Sequence, residues 1–324
     1  MISLRRSLRA VTLIAALGAG SAGLSGCDAS PYAASVNGHI ISVNSLNHQL
    51  SLWSANPGLV QSFNSAHSGV NGGNGVTVVG QGGAGTYSTA FADQVLTIIV
   101  QGEAVHQYVV ARRMEATPDE LVAARAADNV IFTTTSASGA VEQDWTKFSP
   151  SLREFLTRFL AEEAQFVQPP QDTSQLQSPF NQIQPFLFSQ VCVKQASAFD
   201  AAAAQRIASS GVVNGPPVCL DQAAFESEPP VYQQALQLLA SPGDISPAVH
   251  TSYGFVVLQL VSRTSPGFDA GVQRVIVAAT SQSVPGLDSV LSAARVKVNP
   301  AYGTWVSPSV QPPHAPLSSP SPSP

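Results

Sequence analysis

Arg5, Arg6 and Arg9 stand ahead of an uncharged apolar run that extends from Ala10 to about Leu24. A basic head followed by a short apolar stretch is the pattern of a secretory leader, which is cut off and takes no part in the fold. The run falls short of the roughly 20 residues that cross a bilayer's ~30 Å core comfortably, so it reads as a leader and not a span. What folds is the rest of a 324-residue chain, and it folds outside the cytoplasm. No later segment is long and apolar enough to span.

The leader ends in Leu24-Ser25-Gly26-Cys27, a tetrad that resembles the lipobox of bacterial lipoproteins. In such proteins the Cys is acylated and becomes the mature N-terminus. The resemblance implies that residues 1–26 are removed, that Cys27 carries lipid, and that 27–32 form a tether at the outer face of the cell membrane. A multiply acylated Cys holds firmly where a single chain anchors only marginally. Cys192 and Cys219 are then the two cysteines left, and an oxidising compartment predicts that they pair.

Charged residues make up 11% of the chain, against about 25% in an ordinary soluble domain, so the surface must be largely uncharged and polar. Losing the leader leaves 12 basic residues against 20 acidic ones. That balance gives no basic footprint for a phosphate backbone, which sets nucleic-acid binding aside. Hydrophobic residues at 44% are enough for a real core, and the length suits about two domains.

Along the mature chain, Ala33 to Ser42 reads as strand with a turn-like Asn37-Gly38, followed by a helix over Val43 to Ala55. Asn56 to Tyr87 is rich in Gly, Asn and Ser and reads as an exposed loop. Ser88 opens a long helix to about Met114, with Phe91, Val95, Ile98, Ile99, Val105 and Val109 on one stripe. Thr117-Pro118-Asp119-Glu120 is a capping box with Pro at the first helical position, which starts a second helix. Ser149-Pro150 launches a third, whose Leu152, Phe155, Leu156, Phe159, Leu160 and Phe166 share a face. Gln168 to about Pro185 is Gln, Pro and Ser rich and reads as a linker.

Beyond it, Gln190 to Val193 reads as a short strand, Asp200 to Ser210 and Val231 to Ala240 as helices, and Tyr253 to Val261 as the clearest strand in the chain. A helix from Phe268 to Ala279, a short one near Gly286 to Ala294 and a strand at Val296 to Asn299 follow. From Val306 onward the tail is mostly Ser and Pro and is expected to be disordered. The expected fold class is α+β.

Few constellations carry chemistry. Gly80, Gly82 and Gly85 match a dinucleotide-binding spacing after the strand-like Val76 to Val79, but no second strand or strand-end acid follows at the expected distance, so a flexible Gly loop is the better account. The six His show no i,i+4 pair and no ligand at metal spacing, which predicts no metal and no cofactor. A nucleophile elbow is absent too.

The order of elements resembles the SurA/PrsA group of extracytoplasmic foldases. Val36 to Leu50 and Val95 to Leu121 are similar to the helical N-terminal chaperone domain of that group. Leu238 to Arg263, LLASPGDISPAVHTSYGFVVLQLVSR, resembles the closing half of a parvulin-type prolyl isomerase domain, and Val296 to Trp305 resembles the strand that returns to complete the N-terminal domain. The resemblance implies a chaperone domain over 33–166 completed by 265–305, the linker at 167–186, a parvulin-like domain over 187–264 and a disordered tail at 306–324.

Parvulin sites pair a proline pocket with a polar cluster that includes two strand-borne His. Ser189-Gln190-Val191-Cys192-Val193-Lys194 carries Gln190 at the first of those positions, and Gly254-Phe255-Val256 carries Val256 at the second. The usual middle of the domain is compressed to Gly211 to Cys219, and neither Asp221 nor a disulfide-bonded Cys219 can replace two imidazoles. The same carry-over sets Cys192 and Cys219 within one small unit, which fits their pairing. His250, beside the strand, reads as a solvated turn residue.

The expectation is a lipid-anchored extracytoplasmic chaperone or foldase, degenerate in catalysis, that binds unfolded exported polypeptides. A working parvulin-type isomerase with a reduced site and a structural cell-envelope lipoprotein are the alternatives.

Overall fold

A computed structural model of the chain describes residues 32–60, 77–80, 83, 86–135, 141–252, 254–281 and 284–313. Cys27, the leader and the end of the tail lie outside them. The fold is α+β. It divides into two compact units, Ala116–Thr280 and the residues up to Glu115 together with those from Ser281 onward.

In the second of these units the chain begins as a hairpin, β1 (Tyr32–Val36) and β2 (His39–Ser42). Asn37 and Gly38 both take positive φ, 51° and 96°, the conformation of a two-residue turn whose twist matches the flanking strands. Asn37 is also a fastener. Its side chain accepts from the Arg295 amide at 2.8 Å and donates to Gln107 at 2.9 Å.

Ser42 caps α1 (Val43–Ser54), which buries Leu46, Leu50 and Trp53. The Ser88 hydroxyl caps α2 (Thr89–Ala111), whose apolar stripe includes Phe91, Val95, Leu96, Val100, Val105 and Val109, all buried. The stripe packs against β1 and α1. About 260 residues downstream, by sequence number, β9 (Val296–Val298) joins the free edge of β1, pairing Ala34 with Val298 and Val36 with Val296.

The tail departs from expectation here. Thr304–Val306 (β10) and Ser309–Gln311 (β11) form a second hairpin, with Ser309 and Val310 buried. Val310 is an apolar side chain set among Ser and Pro, and it is buried where β11 packs on α2. Gly303 takes φ of +119°, and a Cβ there would stand 2.0 Å from the Gln311 carbonyl oxygen. Only Gly lets the hairpin close so tightly.

In the unit Ala116–Thr280, α3 (Pro118–Phe132) starts at the expected capping box: the Thr117 hydroxyl accepts from the Glu120 amide, and Glu120 accepts from the Thr117 amide at 2.8 Å. Such a cap contributes about 1 kcal/mol. The Glu120 carboxylate also accepts from Arg274 on a later helix, and these hydrogen bonds hold its pKa below the usual carboxylate value despite the opposing effect of burial. A short antiparallel pair, β3 (Thr134–Thr135) and β4 (Val141–Gln143), leads from α3 towards α4 (Pro150–Ala164), and the two helices pack together.

The segment expected as a linker is folded. It carries α5 (Gln177–Ile183), buries Leu176, Pro179 and Ile183, and sets the Phe180 ring 4.7 Å from that of Phe268. Three apolar residues at helical spacing suffice to dock it, although its overall composition is that of a tether.

A four-stranded sheet follows, with β5 (Gln190–Ala198), β6 (Val218–Asp221), β7 (Val249–Thr251) and β8 (Gly254–Thr264) in the order β6-β5-β8-β7, antiparallel throughout. β5 runs five residues past its expected end. One face packs under α7 (Gln222–Ser227) and α8 (Pro230–Gln237) through Phe225, Tyr232, Ala235 and Leu236. On the other, Val257 meets Ala204 of α6 (Ala201–Ser209) and Val213. α9 (Ala270–Thr280) then returns to pack on α3 and α4. Through it, part of the expected C-terminal segment belongs with the sheet's unit. α10 (Leu287–Ala293) and β9 belong with the other.

Candidate functional site

Register decides what the sheet brings together. Gln190 opposes Thr264 and Asp221 at one end of β5, while Val256 opposes Ser197 at the other. Positions 190 and 197 of one strand are about 23 Å apart. The two positions that the parvulin resemblance expects to share a site are therefore not neighbours. Gln190 is exposed and Val256 is buried.

A different set converges around Val256. Ser197, Val256 and Val249 form one row across β5, β8 and β7. Gln195, two residues before Ser197 and so on the same side of the pleat, accepts a hydrogen bond from the Tyr232 hydroxyl at 3.1 Å. Tyr232, Val249 and Val256 belong to one apolar cluster with Val193 and Leu258. Burial, with a smaller push from Glu228, raises the Tyr232 hydroxyl to about 12, so it stays a hydrogen-bond donor at any physiological pH. The patch presents the exposed polar side chains of Gln195 and Ser197 above an apolar floor of Tyr232, Val249 and Val256, each less than a tenth exposed. It holds no imidazole, carboxylate or thiol.

Other candidates are engaged elsewhere. Asp221 caps α7, accepting from the Ala224 amide at 2.8 Å. Cys192 and Cys219 oppose each other across β5 and β6 and are joined by a disulfide, with 3.9 Å between their Cα atoms. His250 is exposed and packs on the Phe255 ring at 4.8 Å, away from the patch. The compressed stretch from Gly211 is closed by Val213, which is fully buried and donates its amide to Gln259. Around the Gly loop, Val79 bridges to Tyr87 and the Gly80 amide donates to Thr86, a tight reversal leading into the Ser88 cap.

Reading the sequence missed Gln195, Ser197 and Tyr232. Gln195 and Ser197 lie past the expected strand end at Val193, and Tyr232 sits on a helix whose apolar stripe hides a polar tip. The only signal was the alternation of Val193, Gln195 and Ser197 beyond the expected strand end.

No protein-family model matches this sequence, and no curated protein matches it. Solved structures do resemble it. A SurA-like chaperone of Campylobacter jejuni, from the related pair PEB4 and Cj1289, is 11% identical with a TM-score of 0.22, over 83% of this chain and 98% of that one. Foldase protein PrsA of Streptococcus pneumoniae is 12% identical with a TM-score of 0.23, over 65% and 87%. Peptidylprolyl isomerase PrsA of Bacillus cereus is 13% identical with a TM-score of 0.22, over 69% and 93%. At such identities and scores the likeness carries no functional argument. Among the described residues, no helix is long and apolar enough to cross a membrane.

Proposed function

We propose that this chain is a lipid-anchored extracytoplasmic chaperone or foldase that holds unfolded exported polypeptides without efficient isomerase chemistry. The observation that supports it most is the neutral patch around Val256. An unfolded segment presents apolar side chains and unpaired peptide groups. Ser197 and Gln195, both exposed, can pair with the latter, and the edges of Tyr232, Val249 and Val256 beneath them give the former an apolar floor. Accelerating prolyl isomerisation is a harder task, since the barrier is ~18–20 kcal/mol and the imidazole pair of a parvulin is replaced.

The anchor rests on Leu24-Ser25-Gly26-Cys27. Three measurements on one preparation test the proposal. The purified protein is expected to slow aggregation of a chemically unfolded client at near-stoichiometric ratio; no effect would leave a structural role. It is expected to leave proline-peptide isomerisation at the uncatalysed rate, and a rate near that of active parvulins would reverse the catalytic part. Cys27→Ala is expected to move the protein from the membrane fraction to the soluble one, and retention in the membrane would remove the anchor.

A further inference from the structure

The C-terminal hairpin is held on α2 by a polar stripe. Gln101 donates to the Pro308 carbonyl at 2.7 Å, and the Thr97 hydroxyl accepts from the Val310 amide at 2.9 Å. Gln101 and Thr97 are one helical turn apart, about 6 Å, and Pro308 and Val310 are two strand residues apart, about 7 Å. Helix and hairpin thus run antiparallel and in step. The next residue of the stripe is Asp93, which the same pattern brings level with Pro312, and proline has no N–H to donate.

Asp93 is 4% exposed, and neither carboxyl oxygen has a hydrogen-bond partner among the described residues. Among the described residues of the elements packed on α2, no Lys or Arg stands by to compensate. α2 itself carries no other charged residue before Glu103. The elements packed against α2 are β11, α10, β1 and α1. Their titratable or charged residues are Asp288, Tyr32 and His48 alone, and none of them is a Lys or Arg.

We propose that Asp93 makes this clasp pH-dependent: the hairpin β10–β11 closes on α2 with the Asp93 carboxyl protonated, and opening the hairpin hydrates that carboxyl and lets it ionise. Burial pushes the Asp93 carboxyl up to about 8 from the 3.8 of a free side chain. The closed state therefore binds a proton that the open state releases between these two values. Closure is strongest at acid pH, weakens as pH rises through that window, and reaches its weakest level above about 8. What opens is the buried face of Val310 and the α2 surface beneath it. An anchored binder would gain an apolar surface in alkaline surroundings and cover it in acid ones.

Hydrogen exchange of the segment 304–311 in the whole protein, corrected for intrinsic exchange, tests this. Protection is expected to fall about 100-fold or more between pH 5 and pH 8, the slope approaching tenfold per unit. In Asp93→Asn it should be flat. Protection that does not change with pH in the wild type, or that falls equally in the variant, would overturn the proposal. Should the variant not fold, the carbon-detected titration of the Asp93 carboxyl in the wild-type protein decides. A midpoint well above the ordinary carboxylate range is expected, and one near 4 would overturn the proposal.

Discussion

Glu226→Ala is expected to lower the stability of the unit Ala116–Thr280 by about 3 to 5 kcal/mol, the usual cost of removing one partner from a buried ion pair. Glu226 lies in the last turn of α7, with its side chain only 2% exposed, and it accepts from two guanidinium groups. Arg125 of α3 reaches it through both Nε and Nη2, at 2.6 and 2.7 Å, and Arg153 of α4 contacts the same carboxylate. Arg153 is itself 9% exposed. Burial lowers its pKa and Glu226 pushes back, so without that carboxylate a buried cation would face Arg125 with reduced compensation.

The whole triad is not thereby a source of net stability. Two cations and one anion have been taken out of water, and an apolar set of equal volume could do as well. What the triad supplies is position. It fixes the α7 end of the sheet's helical cover against the two helices α3 and α4. Denaturant midpoints compared for the wild type, Glu226→Ala and Glu226→Gln decide the point. A loss below about 1 kcal/mol in the Ala variant would put the network in the class of solvent-exposed pairs.

Replacing both cysteines by Ala is expected to cost about 3.5 kcal/mol, from the chain entropy released when a link across 27 residues is removed. The effect should concentrate on β6. That strand is four residues long, lies at the sheet's edge and leaves Val218 and Cys219 exposed, so little else holds it. Exchange protection of 218–221 is expected to fall further than that of β8. An equal drop across the sheet would mean that the link stabilises the unit as a whole, and an unchanged midpoint would mean that the strand needs no staple. Non-reduced peptide mapping should recover Cys192 and Cys219 in one linked species.

Local chemistry made part of this fold legible in advance. Thr117-Pro118-Asp119-Glu120 could hardly be anything but a helix start, because both hydrogen bonds of its cap close within four residues. Asn37-Gly38 marks a hairpin for the same kind of reason. Val296 to Asn299 was expected as a strand, but its pairing with Ala34 and Val36 was approached only through family resemblance, since nothing local encodes a partner so distant in sequence.

Long-range facts were harder to read. The stretch before β5 reads as a linker because Gln, Pro and Ser dominate it, yet Leu176, Pro179 and Ile183 find a surface. Val310 does the same in a tail of Ser and Pro. Arg153 and Glu226 look like solvated charges in sequence, since burial of a charge depends on a partner that another element supplies. At the candidate site the resemblance named Gln190 and Val256, but strand register, which no motif states, sets them at opposite ends and gathers Gln195, Ser197 and Tyr232 around Val256 instead.

The pairing of β1 with β9 has a consequence for how the chain is made. Residues 36 and 296 are opposite each other in the finished sheet. At bacterial and eukaryotic synthesis rates of roughly 5 to 20 residues per second, tens of seconds separate their appearance. Through that interval the first hairpin waits with one edge open while Ala116–Thr280 emerges complete and can fold. A protein proposed to shelter unfinished chains is thus, during its own birth, one of them.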